Sequence, residues 1–179
     1  MSDSAPILVT GGSGFIARQL CRSLVLSGIR VRVLSRRVGA IDSGAEAVEW
    51  TGDGGDSFDT ACYGVRAVVH CAARVHILRE RGSNPLAAFR IVNVEATRAL
   101  YKAAQRAGVR RFVFLSSVKA VGEGGSHRYC ETDRSCPVDP YGISKLEAEQ
   151  VLAEERALGG PEFVVLRPPL VYGPGVRGN

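Results

Sequence analysis

The chain has 179 residues, of which 45% are hydrophobic and 23% are charged. This composition is typical of one globular domain and argues against disordered, collagen-like and disulfide-rich proteins. The net charge of +5 comes from single or paired arginines, so no basic block or aromatic stacking pattern indicates nucleic-acid binding. The sequence shows no membrane-length apolar run, no signal-peptide pattern and no metal-ligand spacing, so we expect a cytoplasmic protein without metal or membrane contact.

Apolar segments rich in β-branched and aromatic residues alternate with helix-length segments along the chain. Strands are predicted at residues 7–10, 31–35, 45–50, 67–70, 111–116 and 163–167, and helices at residues 15–27, 85–107 and 141–158. Several strands are apolar without alternation, which is typical of a parallel sheet covered on both faces. The order predicts an α/β fold, a doubly wound parallel sheet over residues 1–167, followed by a short region at residues 168–179.

The first predicted strand leads into a glycine-rich turn at the start of the first predicted helix. Gly11, Gly14 and Ala17 occupy a GxxGxxA frame there. Glycine lets the backbone turn sharply and approach a diphosphate, whose charge is met by the free N–H groups of the helix. Because the frame lies between a strand and a helix, it predicts a dinucleotide-binding loop.

The end of the second predicted strand bears on which dinucleotide is expected. An acidic residue there would accept from the adenosine ribose of NAD, whereas this chain has Ser35, Arg36 and Arg37. Guanidinium groups donate to a 2′-phosphate, so we predict that NADP is favoured over NAD, with two solvated arginines as the alternative interpretation. Further along, Asp53 would accept from the adenine amino group unless it only closes a turn, and the small residues after His70 would let the backbone pass close to the cofactor.

Three side chains predict the chemistry. Tyr141 and Lys145 form a YxxxK pair on one face of a predicted helix, and Ser117 closes the fifth predicted strand. The three groups are expected to converge at the carboxyl ends of the strands, where such sheets bind ligands. In this hypothesis Tyr141 removes a proton from a substrate hydroxyl, after Lys145 and a cationic nicotinamide have lowered the phenol pKa from about 10. Ser117 hydrogen-bonds the same substrate oxygen.

These motifs resemble those of the extended short-chain dehydrogenase/reductases, and among them the NAD(P)-dependent epimerase/dehydratase family typified by UDP-galactose 4-epimerase. The resemblance covers nearly the whole chain, as TGGSGFI at 10–16, GD at 52–53, HCAA at 70–73, NVEAT at 93–97, FLSS at 114–117, YGISK at 141–145 and RPPLVYGPG at 167–175. It implies a NAD(P)-binding Rossmann fold, a nucleotide-sugar or small carbonyl substrate, and a homodimer formed through the two long helices.

The motifs and the resemblance together give a set of expected site residues. The expected catalytic residues are Ser117, Tyr141 and Lys145. The expected cofactor-binding residues are Gly11, Ser13, Gly14, Phe15, Ile16, Ser35, Arg36, Arg37, Asp53, Gly54, Cys71, Ala72, Ala73, Asn93, Tyr141, Lys145, Pro168, Leu170 and Val171. The expected substrate residues are Ser117 and Asn179, and no metal ligand is expected.

Departures from the family pattern refine the expected reaction. The related 4,6-dehydratases carry an Asp-Glu pair directly after the catalytic hydroxyl residue, whereas this chain has Val118 and Lys119, which disfavours dehydration. Leu170 replaces an Asn that many epimerases place near the sugar nucleotide. Family members continue into a C-terminal substrate domain, which we expect to be missing or truncated here, together with most substrate contacts.

Three functions stay open at this point. The first is a nucleotide-sugar epimerase, in which a carbinol is oxidised with Tyr141 as base and hydride returns to the other face of the ketone. The second is an NADPH-dependent carbonyl or ketosugar reductase, which Arg36 and Arg37 favour. The third is a non-catalytic NAD(P)-binding sensor, against which Tyr141 and Lys145 argue because sensors tend to lose these residues.

Overall fold

A computed structural model describes residues 4–37, 44–52, 55–75, 84–124 and 128–176 of the chain. Its strands are β1 (Ile7–Thr10), β2 (Val31–Ser35), β3 (Glu46–Glu49), β4 (Ala67–His70), β5 (Arg111–Leu115) and β6 (Glu162–Leu166). Its helices are α1 (Phe15–Leu26), α2 (Asp56–Cys62), α3 (Pro85–Arg90), α4 (Ala96–Arg106) and α5 (Pro140–Ala157).

All six strands pair in parallel in one sheet, in the order β3-β2-β1-β4-β5-β6. The chain builds one half of the sheet outward from β1 and then returns to build the other half from β4. The order therefore reverses between β1 and β4, which is the point where a doubly wound sheet opens a crevice at the carboxyl ends of its strands. The predicted α/β fold with a Rossmann-type sheet is confirmed.

The helices differ from the prediction at two places. α2 was not predicted, because it is only seven residues long and its apolar face is limited to Phe58, Ala61 and Cys62. The single helix predicted over residues 85–107 is interrupted by a π-helical turn at Ile91–Glu95. Such a turn adds one residue to the helical repeat and is frequent at functional sites.

Apolar side chains cover both faces of the sheet. The larger cluster packs α2, α4 and α5 against the sheet and includes Leu100, Phe112 and Leu152, all fully buried. The smaller cluster packs α1 against β1 and β2 through residues such as Val9 and Val33. Within the described ranges, no helix is both long and apolar enough to cross a bilayer.

Candidate functional site

The loop after β1 has the shape and chemistry that a diphosphate requires. Gly11 has a φ of +74°, and its N–H donates to the carbonyl of Leu34 at 3.1 Å. A Cβ on Gly11 would lie 2.8 Å from the backbone nitrogen of Ala72, so the loop touches the segment after β4 directly. Gly14 precedes α1 without a side-chain cap, which leaves the first N–H groups of the helix available to an anion.

A buried hydrogen-bond chain fixes the segment that follows β4. Thr10 Oγ1 lies 2.6 Å from His70 Nδ1, and His70 Nε2 lies 2.9 Å from Thr97 Oγ1. The N–H of Ala72 donates to Thr10 Oγ1 at 3.1 Å. Burial lowers the pKa of His70 to about 3, so the imidazole is neutral and joins β1, β4 and α4 as a packing residue.

A cleft of about 720 Å³ runs along the carboxyl ends of the strands. It collects most of the expected site residues: Gly11, Ser13, Gly14, Phe15, Ile16, Ser35, Arg36, Cys71, Ala72, Ala73, Ser117, Tyr141, Pro168, Leu170 and Val171. These residues come from six separate segments of the chain, so the sheet brings together motifs that are far apart in sequence.

Three expected site residues do not line the cleft, and three others lie outside the described residues. Arg37, Asn93 and Lys145 do not line the cleft, as the described residues define it. Asp53, Gly54 and Asn179 lie outside the described residues, so their predicted roles stay predictions.

Ser117 and Tyr141 face each other in the cleft. Ser117 follows β5 and caps the 3₁₀ turn Val118–Ala120, while Tyr141 lies in the first turn of α5. The hydroxyl of Ser117 lowers the pKa of Tyr141, which favours the phenolate. Burial nevertheless outweighs the effect of Ser117 and raises the pKa of Tyr141 above its ordinary value.

Lys145 does not direct its amine into the cleft. The side chain is 1% exposed, and Nζ donates to the carbonyl of Leu115 at 2.7 Å and lies 3.9 Å from the centre of the Phe114 ring. Burial lowers the pKa of Lys145 to about 7, while the carboxylate of Glu149 acts in the opposite direction. Lys145 thus lies below the cleft and contacts the end of β5. Because its pKa lies near 7, the charge of its amine changes near neutral pH.

Glu149 joins three elements below the cleft. Its carboxylate accepts from Arg167 Nε at 3.1 and 3.2 Å, and from Arg167 Nη2 and Ser116 Oγ. Glu149 is 8% exposed, and the bond to this carboxylate raises the pKa of Arg167. The bidentate pair ties α5 to the ends of β5 and β6, the strands that lead into Ser117 and Pro168.

The side chain of Asn93 holds the backbone of Arg74 beside the cleft. It lies in the π-helical turn, is 1% exposed, and its Oδ1 accepts from the N–H of Arg74 at 2.7 Å. Its Nδ2 donates to the carbonyl of Arg74 at 3.1 Å and to Ser144 Oγ at 3.0 Å. The amide therefore holds the segment after β4 against α5, and its expected role in cofactor binding stays a prediction.

Trp50 and Lys119 are among the cleft residues that sequence reasoning did not predict as site residues. Trp50, the sole tryptophan, follows β3 directly, and its ring centre lies 5.6 Å from that of Phe58. Lys119 follows Ser117 by two residues and lines the same cleft. The position of Trp50 at the carboxyl end of a predicted strand was a usable signal, and Lys119 occupies one of the two positions where the related dehydratases carry an Asp-Glu pair.

Comparisons with known proteins agree with this geometry. The profile of the NAD dependent epimerase/dehydratase family matches residues 7–179. The chain is similar to a UDP-glucose 4-epimerase of Vibrio cholerae, with 38% identity over 97% of this chain and 54% of that protein. It is also similar to a 3-beta-hydroxysteroid dehydrogenase of Mycolicibacterium neoaurum, with 30% identity over 97% of this chain and 50% of that protein.

A solved structure extends the comparison to three dimensions. MoeE5 in complex with UDP-glucose and NAD superimposes with a TM-score of 0.80 and 32% identity, over 96% of this chain and 57% of that chain. The chain thus spans about half the length of the curated relatives that it matches. Since a family profile covers nearly all residues and the fold agrees, the chain belongs to the NAD-dependent epimerase/dehydratase family.

Proposed function

We propose that this chain is the dinucleotide-binding part of a nucleotide-sugar epimerase, with Tyr141 as its acid and base. The observation that carries the proposal is one cleft that contains both the glycine loop after β1 and the Ser117–Tyr141 hydroxyl pair. Similarity to a UDP-glucose 4-epimerase and to a structure with UDP-glucose and NAD supports a sugar nucleotide as substrate.

The strand order supports the direction in which the dinucleotide would lie. The glycine loop follows β1 in the middle of the sheet, Arg36 and Trp50 follow β2 and β3 on one side, and Ser117 follows β5 on the other. A diphosphate at the middle would place its adenosine half toward Trp50 and its nicotinamide half toward Tyr141. The residues present therefore fit a nicotinamide dinucleotide.

The protein side of the chemistry follows from the hydroxyl pair. A bound nicotinamide would supply hydride acceptance and donation. Tyr141 would take the proton of a sugar carbinol in one direction and return it to the ketone oxygen in the other, while Ser117 donates to the same oxygen. Because burial raises the pKa of Tyr141, the phenol is protonated at neutral pH and needs positive charge nearby to act as a base.

Removing the phenol hydroxyl tests the proposal. In a protein that also carries the half of the chain that only the relatives have, we expect interconversion of UDP-glucose and UDP-galactose, and Tyr141→Phe should lower kcat by at least about 100-fold, since general acid–base groups contribute 10² to 10⁴. Quenching of Trp50 fluorescence by the dinucleotide should be unchanged, because the ring at Tyr141 is retained. Tyr63→Phe, at an exposed position after α2, is the matched control. Retained turnover in Tyr141→Phe would refute the assignment, and a wild type of that full length that binds the dinucleotide but converts neither sugar nucleotide would refute the epimerase.

A carbonyl reductase is the second candidate. It is supported by Arg36 in the cleft at the end of β2 and by similarity to a 3-beta-hydroxysteroid dehydrogenase. A reductase consumes one reduced dinucleotide per turnover, whereas an epimerase regenerates it. Net loss of absorbance from NADPH during turnover would therefore favour the reductase.

The predicted preference for NADP rests on Arg36. The side chain is exposed and lines the cleft, whereas Arg37 is exposed and does not. We expect tighter binding of NADP than of NAD, and Arg36→Ala should weaken NADP about tenfold, because a charged hydrogen bond contributes about 1.5 kcal/mol. Binding of NAD should stay unchanged, and Arg37→Ala serves as control. Equal dissociation constants in calorimetric titrations of the wild type would contradict the preference.

A further inference from the structure

We propose that Lys119 is a positioning residue for Tyr141 and Ser117: it ties the turn after β5 to the first turn of α5 and places a positive charge beside the phenol. The proposal rests on the proposed role of Tyr141. Lys119 lies outside the YxxxK pair. The amine of Lys145, the lysine of that pair, donates to the carbonyl of Leu115.

An ion pair joins the two segments that carry the hydroxyl groups. Lys119 Nζ pairs with the carboxylate of Asp139, and it lies 3.5 Å from Glu123 Oε1. Asp139 is the N-cap of α5, and its Oδ1 accepts from the N–H of Gly142. The N–H of Lys119 donates to Ser117 Oγ at 3.2 Å. Lys119 is thus bonded to Ser117 at one end and to the cap of the tyrosine's helix at the other.

The two segments also touch through their backbones. A Cβ on Gly142 would lie 2.4 Å from the carbonyl oxygen of Lys119 and 3.1 Å from its carbonyl carbon. Only a residue without a side chain allows this approach, because both contacts are backbone atoms. The turn that carries Ser117 therefore rests directly on the turn that carries Tyr141, and the ion pair closes over that contact.

Lys119 and Asp139 act on the pKa of Tyr141 in opposite directions. Asp139 raises the pKa of Tyr141, whereas Lys119 and the hydrogen bond from Ser117 lower it. From α3, the ring centre of Phe89 lies 6.1 Å from that of Tyr141 and brings no charge. Among the described residues, Lys119 is the cation that acts on the phenol, and its own pKa is raised by Asp139, so it stays protonated.

An effect of charge would shift the pKa of Tyr141 in opposite directions in Lys119→Met and Asp139→Asn. A purely structural effect would shift it in the same direction in both variants. Removing the cation with Lys119→Met leaves Asp139 uncompensated and should shift the titration of Tyr141 to higher pH. Asp139→Asn keeps an oxygen that can cap α5 but removes the negative charge, and should shift it to lower pH. The double variant should return close to the wild type, because the two charges oppose each other.

The readout is a titration of the full chain labelled with ¹³Cζ-tyrosine, from about pH 8 to about pH 12, a range that extends above the ordinary phenol pKa of about 10 because burial raises the pKa of Tyr141. The chain has five tyrosines, and the Tyr141 signal is the one absent from Tyr141→Phe. Lys119→Arg should titrate like the wild type. Lys102→Met, on α4, removes a lysine from an ion pair with Glu155 of α5 and is the matched control, with no shift expected.

Turnover gives a second readout. Lys119→Met should lower kcat roughly tenfold at neutral pH and leave KM nearly unchanged, with recovery at higher pH and in Lys119→Arg. A Tyr141 titration in Lys119→Met that matches Lys102→Met would overturn the proposal, and so would shifts of the same sign in Lys119→Met and Asp139→Asn. The titration needs no turnover, so the Tyr141 signal decides the role of Lys119 independently of the epimerase activity that tests the proposed function.

Discussion

At the scale of single residues, burial sets the charge of the groups below the cleft. Lys145 has a pKa of about 7 because its amine is removed from water, and Cys71 has a pKa raised to about 12 for the same reason. A thiol with that pKa carries no thiolate at neutral pH and is chemically inert. The lysine is the opposite case, since small changes in its surroundings alter its charge near neutral pH.

The lowered pKa of Lys145 predicts a pH-dependent stability. Between about pH 7 and its ordinary pKa of 10.5, the unfolded chain holds a proton that the folded chain has released. The free energy of unfolding therefore rises with pH in this window, by up to about 1.4 kcal/mol per unit. Below about pH 7 both states hold the proton, and the cost of burying the charge is present in full.

Replacing Lys145 by methionine should remove this slope. Urea unfolding of the wild type and of Lys145→Met between about pH 7 and about pH 8.5 would measure it. The range stays below the ordinary pKa of 9.0 of the thiols of Cys62 and Cys71, whose raised pKa values act in the opposite direction above it. Parallel pH profiles for the two proteins would show that Lys145 is not the origin.

At the scale of elements, α5 is the part of the fold that organises the chemistry. Its first turn carries Tyr141 and rests on the turn after β5, and its middle is fixed to β5 and β6 by Glu149. The apolar face of α5 packs on the larger core cluster through Ala148 and Leu152. The helix is thus held at both its start and its centre, which keeps the phenol at a fixed distance from Ser117.

In α5, we expect Gly142→Ala to lower the free energy of unfolding. Alanine in a helix normally stabilises a protein by about 0.5–1 kcal/mol relative to glycine. Here the added Cβ would lie 2.4 Å from the carbonyl oxygen of Lys119, so we expect a loss of about 1–3 kcal/mol instead. Chemical denaturation measures the change, and a more stable variant would contradict the close approach. Ala153→Gly, at an exposed position of α5, measures the intrinsic helix term alone.

At the scale of the whole molecule, the cleft is built from both halves of the sheet. A ligand that spans the cleft contacts the loop after β1, the residues after β2 and β3, and the residues after β5 and β6. Such a ligand should stabilise the folded state as a unit. The expected homodimer stays a prediction, since a single chain is described.

Dinucleotide binding should therefore raise the melting temperature. At a concentration of about 100 times Kd, a ligand specific for the folded state adds about 2.7 kcal/mol. For a chain of this size that corresponds to a shift in Tm of roughly 5–10 °C. A thermal melt followed by Trp50 fluorescence with NADP, with NAD and with adenosine alone would measure it. No shift with either dinucleotide would argue against binding in the cleft.

The sequence by itself determined the fold and most of the cleft. Local signals were sufficient there, because a strand followed by a glycine turn and a helix is a short-range pattern, and apolar strands without alternation indicate a parallel sheet. In such a sheet every strand ends at the same edge, so naming the residues that follow the strands already names the lining. This is why the loop at Gly11, the segment at Ala72 and the pair of Ser117 and Tyr141 were found.

Tertiary structure alone decided the electrostatics of the site. The direction of the Lys145 amine, the carboxylate of Glu149 between Ser116 and Arg167, and the pairing of Lys119 with Asp139 depend on side chains that are distant in sequence. The YxxxK spacing fixes a helix face, but it does not fix where a long flexible side chain finds its partner. Burial and pairing set the pKa values, and both exist only once β5, β6 and α5 have packed together.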